Sequence, residues 1–364
     1  MPPYSPDRRF ASEDDRAKCR ALIQAGSKSF AAASLLLPSR VREPAFALYA
    51  FCRISDDLVD VGGGKSDAII ALRSRLERAY AGQPADDPVD RAFADAIHRF
   101  AIPRELPEAL IEGFEWDVQC FSCETLSDLR AYAARVAGSV GVMMSVLMGV
   151  RDPRLLARAC DLGVAMQMTN IARDVGEDAR AGRLYLPREW LRSAGLDPDA
   201  WLRDPRFCPE IATVVRRLLA EADVLYRRAD QGIAGLPAAC RPGIMAARHL
   251  YHAIGLRIAR ADYDSVNSRA RVGNGAKLVK VMTASIHAHM PARRTYAPDA
   301  LAEASYLIDA VTVMEAQAVV NASSSPVGVS GRIVWVAELF ARLETRQNGG
   351  MVSTSIRSLE TRAA

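Results

Sequence analysis

Four aspartates in two pairs are the residues of this sequence whose spacing most suggests chemistry. Asp56 and Asp60 close the stretch CRISDDLVD (52–60), and Asp174 and Asp178 lie within GVAMQMTNIARDVGEDARAGRLYLP (163–187). Side chains four apart share one face of a helix. The first pair follows the apolar run EPAFALYAF (43–51). There the apolar stripe Ala45, Leu48, Cys52 continues into Asp56 and then Asp60, so the carboxylates extend the buried side of the helix. Buried carboxylates need a cation. A solvated acidic helix end would explain the first pair alone equally well.

The second segment favours the cation. At about 100° per residue, Gln167, Asn170, Asp174 and Asp178 fall within about 80° of one another. Leu162, Ala165, Met168, Ala172 and Val175 cover the other side. No Lys alternates with the acids, whereas a merely solvated face mixes both signs. A row of Gln, Asn, Asp and Asp is a row of oxygen ligands. Mg²⁺ requires octahedral oxygen coordination and is usually held by one or two carboxylates plus substrate phosphates. Two helices, each offering Asp at i and i+4, can grip two or three Mg²⁺ ions that a diphosphate then bridges, with Mn²⁺ as a possible substitute. Arg53 and Arg173 stand beside the two pairs, and the guanidinium fork suits phosphate. Each also reads as an ordinary surface arginine.

The elements that must carry these residues are helices. Ala, Leu and Arg dominate, strand-like alternation is scarce, and apolar residues recur three and four apart, as at Leu72, Leu76, Ala79 and Tyr80. Pro38, Pro44, Pro103, Pro107, Pro153, Pro187 and Pro242 mark starts of periodic segments. Gly62, Gly63 and Gly64 stop the helix that bears the first pair. The expected fold class is all-α. The expected organisation is a flexible N-terminus (1–14), one helical catalytic domain (15–290) and a C-terminal helical extension with a loosely ordered tail (291–364). NASSSPVGVSG (321–331) reads as a joint in that extension.

Composition bounds the rest. The 364 residues are 50% hydrophobic, and 47 Lys and Arg stand against 43 Asp and Glu, a net charge of +4. That balance, with no basic block, argues against a nucleic-acid partner. Seven scattered cysteines and a start (MPPYSPDRRF) without an apolar h-region read as reduced thiols in a cytoplasmic protein. The longest charge-free apolar stretch, 136–150, is too short to span a bilayer.

With these residues in hand, the chain resembles the squalene/phytoene synthase family, and its bacterial phytoene-forming members in particular. The resemblance rests on GSKSFAAAS (26–34), LYAFCRISDDLVD (48–60), YAARVAGSVGVMM (132–144), AMQMTNIARDVGEDARAGRLYLP (165–187) and AARHLYHAIG (246–255), in the family's order. It implies the isoprenoid synthase fold, helices around a deep central cavity. It implies head-to-head condensation of two geranylgeranyl diphosphates, through a cyclopropyl diphosphate, to phytoene, the first committed step of carotenoid biosynthesis. No hydride is added, so NADPH is not expected. The family's two aspartate-rich motifs correspond to Asp56/Asp60 and Asp174/Asp178. Its polar and basic diphosphate contacts fall on Arg53, Arg173, Gln167 and Asn170. Ser27, Phe30, Tyr132 and Tyr251 match positions that line the cavity or touch diphosphate. Phe30, Tyr132 and Phe51 are candidates to stabilise passing cations, with core packing as the alternative for each. Proton removal can fall to Tyr251, another hydroxyl or the released diphosphate.

Other motifs carry less. VGGGKSD (61–67) mimics the end of a P-loop, but the required earlier glycine is Val59 and a helix precedes it. CFSC (120–123) lacks a second pair for zinc and reads as ordinary buried cysteines. His249 and His252 show no evident carboxylate partner, and with His287 and His289 they read as structural. RIVWVAELFARLE (332–344) reads as a helix that packs on the domain or lies on a membrane surface, where carotenoid-pathway enzymes would also be partners. Three rival readings remain at this level: a condensation of two farnesyl diphosphates giving squalene, dehydrosqualene or hydroxysqualene; a class I terpene cyclase; and a helical scaffold without activity.

Overall fold

The computed structural model describes residues 9–61, 65–288 and 299–324. Compact packing groups Met1–Val313 into one unit and Met314–Ala364 into a second. The larger unit runs through α1 (Glu13–Gly26), α2 (Lys28–Ser34), α3 (Ser39–Val61), α4 (Lys65–Tyr80), α5 (Pro88–Phe100) and α6 (Glu105–Val118). It continues through α7 (Leu126–Ala133), a π-helical turn over Ala134–Gly138, α8 (Ser139–Leu147), α9 (Pro153–Arg180), α10 (Arg188–Ser193) and α11 (Pro198–Arg203). Then come α12 (Pro209–Ile233), α13 (Arg241–Arg260), α14 (Asn274–His287), a 3-10 turn over Ala302–Ala304 and the start of α15 (Ser305–Ser324). No strand occurs among the described residues. Of the second unit, the described part is the continuation of α15 to Ser324. The membrane-surface reading of 332–344 and most of the joint at 321–331 lie outside the described residues.

The punctuation works largely as the sequence implies. Asp152 caps α9 by accepting from the Arg154 N–H, and Pro153 takes the first helical position, where a missing N–H costs nothing. Pro44 is the exception: it lies inside α3, which begins at Ser39. α3 reaches Val61, and residues 62–64 lie outside the described ones.

α9 is the central post. It packs on α12, α13, α8 and the π-helical turn, and its inner residues Val164, Ala165, Met168 and Ala172 are fully buried. One glycine makes the closest approach possible. A Cβ on Gly163 would sit 2.3 Å from the Ala137 carbonyl oxygen, so the π-helical turn and α9 touch backbone to backbone. Arg158 of α9 and Arg228 of α12 both bond Asp161 of α9, at 2.8 and 3.0 Å, and Arg158 is 3% exposed. Among the described residues no helix is long and apolar enough to cross a membrane.

Candidate active site

The helices enclose two connected spaces. The inner one is an apolar cavity of about 290 Å³, walled by α2, α3, the π-helical turn, α8, α9, α12 and α13. The outer one is a polar mouth lined by Arg53, Asp56, Asp117, Tyr132, Arg173, Asp174, Asp178, Arg183, Tyr185 and Arg269. Tyr49, Cys52, Val136, Gln167 and Asn170 line both, and so form the junction. On α9 the cavity stripe runs Leu155, Arg158, Ala159, Leu162, Gly163, Met166, Gln167, Asn170. That is the three-and-four spacing of one helix face, whose two ends are roughly 22 Å apart at 1.5 Å per residue. The acidic residues continue the same face beyond Asn170.

Asp56, Asp174 and Asp178 line one mouth. Asp56 is on the cavity side of α3 but solvent reaches it: its side chain is 47% exposed and pairs with Arg53 at 3.3 Å. Arg53 also pairs with Asp57 at 2.6 Å. Asp60 lies one turn further along α3, and its side chain falls outside the described residues. Asp174 accepts from Arg173 at 2.8 and 2.5 Å and from Arg269 at 2.8 and 3.2 Å. Asp178 is deeper. Burial, then the neighbouring charge of Asp174, pushes its carboxyl up to about 7, against a smaller opposing pull from Arg183.

Of the remaining predicted residues, Phe30, Tyr251, Gln167 and Asn170 line the cavity. Ser27 caps α2 by accepting from the Phe30 N–H, and it is hydrogen-bonded to Tyr251. The Phe30 and Tyr251 rings meet at 5.2 Å, and Phe30 is 6.2 Å from Tyr49. Burial raises the Tyr251 phenol to about 12 and the Cys52 thiol to about 12, so both are neutral at the junction. Gln167 and Asn170 touch each other at 3.4 Å, and the Asn170 Oδ1 is buried without a hydrogen-bond partner. Phe51 does not reach the cavity. It is 3% exposed and stacks on Phe93 of α5 at 4.1 Å, so its role is core packing.

Several mouth residues escaped the sequence. Asp117, at the end of α6, accepts from Tyr132 at 2.9 Å and from Tyr185 at 2.6 Å, and the two rings stack at 5.0 Å. Arg183 and Tyr185 sat inside the quoted GRLYLP string without being singled out. Asp117 and Arg269 carry no periodic signal at all. Arg269 arrives on the loop after α13, which seats itself on α9. A Cβ on Gly176 would lie 2.2 Å from the Val266 carbonyl oxygen, the Gly176 N–H donates to Ser265 O at 3.0 Å, and Arg180 donates to Val266 O at 2.7 Å.

The minor motifs resolve plainly. Cys123 is buried but Cys120 is exposed, and the seven cysteines are all free thiols. His252 has a carboxylate partner after all, Asp223 at 3.1 Å. His249 meets His287 edge-on at 5.2 Å.

Among the described residues no three acidic, His or Cys side chains converge into a ready-made metal cage. The donors at the mouth nevertheless fit a hard divalent cation: the carboxylates and the Asn170 amide offer oxygen, the Asn170 Oδ1 is buried without a hydrogen-bond partner, and burial and Asp174 disfavour the charged form of Asp178. Asp56, Asn170, Asp174 and Asp178 are the described residues that could hold such ions, and a polyphosphate would complete their coordination.

Residues 23–276 match the squalene/phytoene synthase family. A phytoene synthase of Rhodobacter capsulatus is 53% identical over 306 residues, covering 82% of this chain and 90% of that protein. A phytoene synthase of Cereibacter sphaeroides is 54% identical over 271 residues, 72% of this chain and 76% of that protein. Among solved structures, a dehydrosqualene synthase bound to a ligand superposes with a TM-score of 0.70 at 29% identity, covering 78% of this chain and 99% of that one.

Proposed function

This chain belongs to the squalene/phytoene synthase family, and on that premise we infer that it is a phytoene synthase, a prenyltransferase that joins two geranylgeranyl diphosphates head to head. The observation that carries this reading is the junction at Gln167 and Asn170, where a long apolar cavity opens directly into a mouth of carboxylates and guanidiniums. Prenyl diphosphates have that same division: an apolar tail and a polyanionic head. The roughly 22 Å cavity stripe of α9 is comparable with an extended chain of four isoprene units.

Mg²⁺ held by Asp56, Asn170, Asp174 and Asp178, with Asp60 as a further candidate, would supply the positive charge that lets a diphosphate leave. Arg53, Arg173, Arg183 and Arg269 add donors for the phosphate oxygens around the same mouth. The apolar wall below excludes water, so the allylic cation meets only the second prenyl chain. Phe30 and Tyr251 line that space, and Tyr132 stands at the mouth with its hydroxyl bonded to Asp117. Tyr251 stays protonated because of its burial, which suits it as a hydrogen-bond donor and leaves the released diphosphate as the base for the final proton. No step consumes a reductant.

The test is incubation of the protein with Mg²⁺ and labelled geranylgeranyl or farnesyl diphosphate in separate tubes, without NADPH, followed by chromatography of the lipid extract. A forty-carbon hydrocarbon from the first tube, abolished by a chelator, is expected. A thirty-carbon product from the second tube alone would transfer the protein to the shorter-chain branch.

A further inference from the structure

Among the described residues that line the apolar cavity, Arg158 is the one that carries a charge. The twelve steps of α9 from Arg158 to Asn170 span roughly 18 Å at 1.5 Å per residue, so it stands at the end away from the mouth. A guanidinium is an unexpected wall there. Taking its charge out of water is costly, and an apolar side chain of the same size would close the cavity without that cost.

Three elements hold this side chain. On α12, a Cβ on Gly232 would lie 2.3 Å from the Arg158 Cβ and 2.9 Å from its Cγ, so the Arg158 stem occupies the place a side chain would take there. On α9 itself, the head pairs with Asp161 at 2.8 Å. The third element is the segment that leads into α15. Arg158 donates to the Asp299 carbonyl oxygen at 3.2 Å, and Arg228 of α12 donates to the same oxygen at 2.6 Å. That segment is anchored in turn. Leu301, Ala304, Leu307, Ile308 and Val311 are buried. Ser127 of α7 donates to Glu303 at 2.8 Å, and the Arg135 guanidinium lies 5.4 Å from the centre of the Tyr306 ring. Leu155, the cavity residue one turn before Arg158, meets α12 by apolar contact at Gly235.

A cavity end made of free apolar side chains yields to a longer ligand by changing rotamers, whereas a side chain tied at stem and head does not. We propose that Arg158, clasped by Asp161 and the Asp299 carbonyl, is the stop that limits the length of prenyl chain the cavity accepts. The segment 299–311 then acts on specificity from outside, since none of its residues lines the cavity. The identity of the ligand as a prenyl chain rests on the function proposed above. A purely stabilising role fits Arg158 less well. Without it, Asp161 keeps its pair with Arg228 at 3.0 Å, so no buried carboxylate is left alone.

The experiment compares geranylgeranyl diphosphate with its homologue one isoprene unit longer, on the full chain with Mg²⁺. Calorimetry gives the binding ratio of the two, and product analysis gives the turnover ratio. The wild-type protein is expected to favour the shorter chain about tenfold or more. Arg158→Met keeps a long stem but gives up both partners of the head. It is expected to raise the ratio of longer to shorter chain about tenfold, with the shorter chain itself little affected. Glu303→Ala with Tyr306→Ala leaves Arg158 in place and loosens the segment behind it, and should raise the same ratio several-fold. A general loss of stability lowers both chains alike, so the ratio separates a stop from a structural role, and the double variant carries the test if Arg158→Met does not fold. The stop is refuted if the wild-type protein takes both chains equally, or if Arg158→Met leaves the ratio unchanged. An unchanged ratio in the double variant refutes the part given to segment 299–311. A wild-type protein that binds both chains but couples neither refutes the reaction, and the binding ratio then decides the stop. One that couples geranylgeranyl diphosphate while every variant keeps its ratio refutes the stop alone.

Discussion

Arg269 donates two hydrogen bonds to the carboxylate of Asp174, at 2.8 and 3.2 Å, across 95 residues of chain. With Arg173 on the other side, this first carboxylate of the second pair is covered by guanidiniums where a metal would bind. Arg269 is therefore expected to compete with Mg²⁺ before substrate arrives and to turn to the diphosphate afterwards. Arg269→Gln should tighten Mg²⁺ binding to the substrate-free protein several-fold, since a partly exposed ion pair is worth about 1 kcal/mol or less. It should raise the KM for the diphosphate about tenfold or more, the loss of a charge-assisted bond. Calorimetric titration with Mg²⁺ alone and steady-state kinetics would show both. Movement of both constants in the same direction would contradict the exchange.

Asp178 gives the site a pH dependence. Its carboxyl is pushed up to about 7 by burial and by Asp174, while in the unfolded chain it returns to the ordinary value near 4. Between those values the native state holds the proton that the unfolded state has lost. Metal-free stability should therefore fall as pH rises from about 4 to about 7. Mg²⁺ must displace the same proton, so its affinity should rise across that range and level off above it. Thermal melting with and without Mg²⁺ at pH 5.5 and pH 8 should show the larger metal-induced gain at pH 8. Asp178→Asn should remove the difference.

Asp117 holds Tyr132 and Tyr185 by their hydroxyls. An asparagine there keeps the shape but cannot accept from both, because its amide nitrogen is a donor. Asp117→Asn should lower kcat about 10- to 100-fold, at a stability cost of about 1–3 kcal/mol. Tyr185→Phe, which frees one oxygen, should restore part of the activity to the double variant. An absence of rescue would mean that Asp117 acts by its charge instead.

The far end of the cavity sets the length of chain it can accept. Ala159 lines it three turns of α9 below Asn170. Ala159→Phe fills that end and should reduce turnover of geranylgeranyl diphosphate about tenfold or more relative to farnesyl diphosphate. Competition between the two labelled substrates measures the ratio, and an unchanged ratio would place the chain elsewhere.

Asp161 pairs with Arg158, which lines the cavity, and with Arg228. Asp161→Ala takes away the carboxylate that faces a buried guanidinium and should destabilise the protein by about 3–5 kcal/mol, read from the urea midpoint. A loss below about 1 kcal/mol would mean that water reaches Arg158.

Periodicity alone determined the helices and the shared face of Gln167, Asn170, Asp174 and Asp178, because that face is a property of one rigid element. The family motifs carried Ser27, Phe30, Tyr132 and Tyr251 to the same region. Local pattern misplaced what depends on neighbours. Phe51 is a candidate to stabilise passing cations with core packing as its alternative, and a rotation of one residue about α3 from Cys52 turns it onto Phe93. His252 found Asp223 from a different helix. Asp117, Arg183, Tyr185 and Arg269 reach the mouth from the end of α6, from the turn after α9 and from the loop after α13. Only the packing of those segments on α9 brings their charges together. One helix can be read from its own repeat, but a mouth built where several helix ends meet is decided by tertiary contacts, since the energy that places each residue lies in elements far from it in the chain.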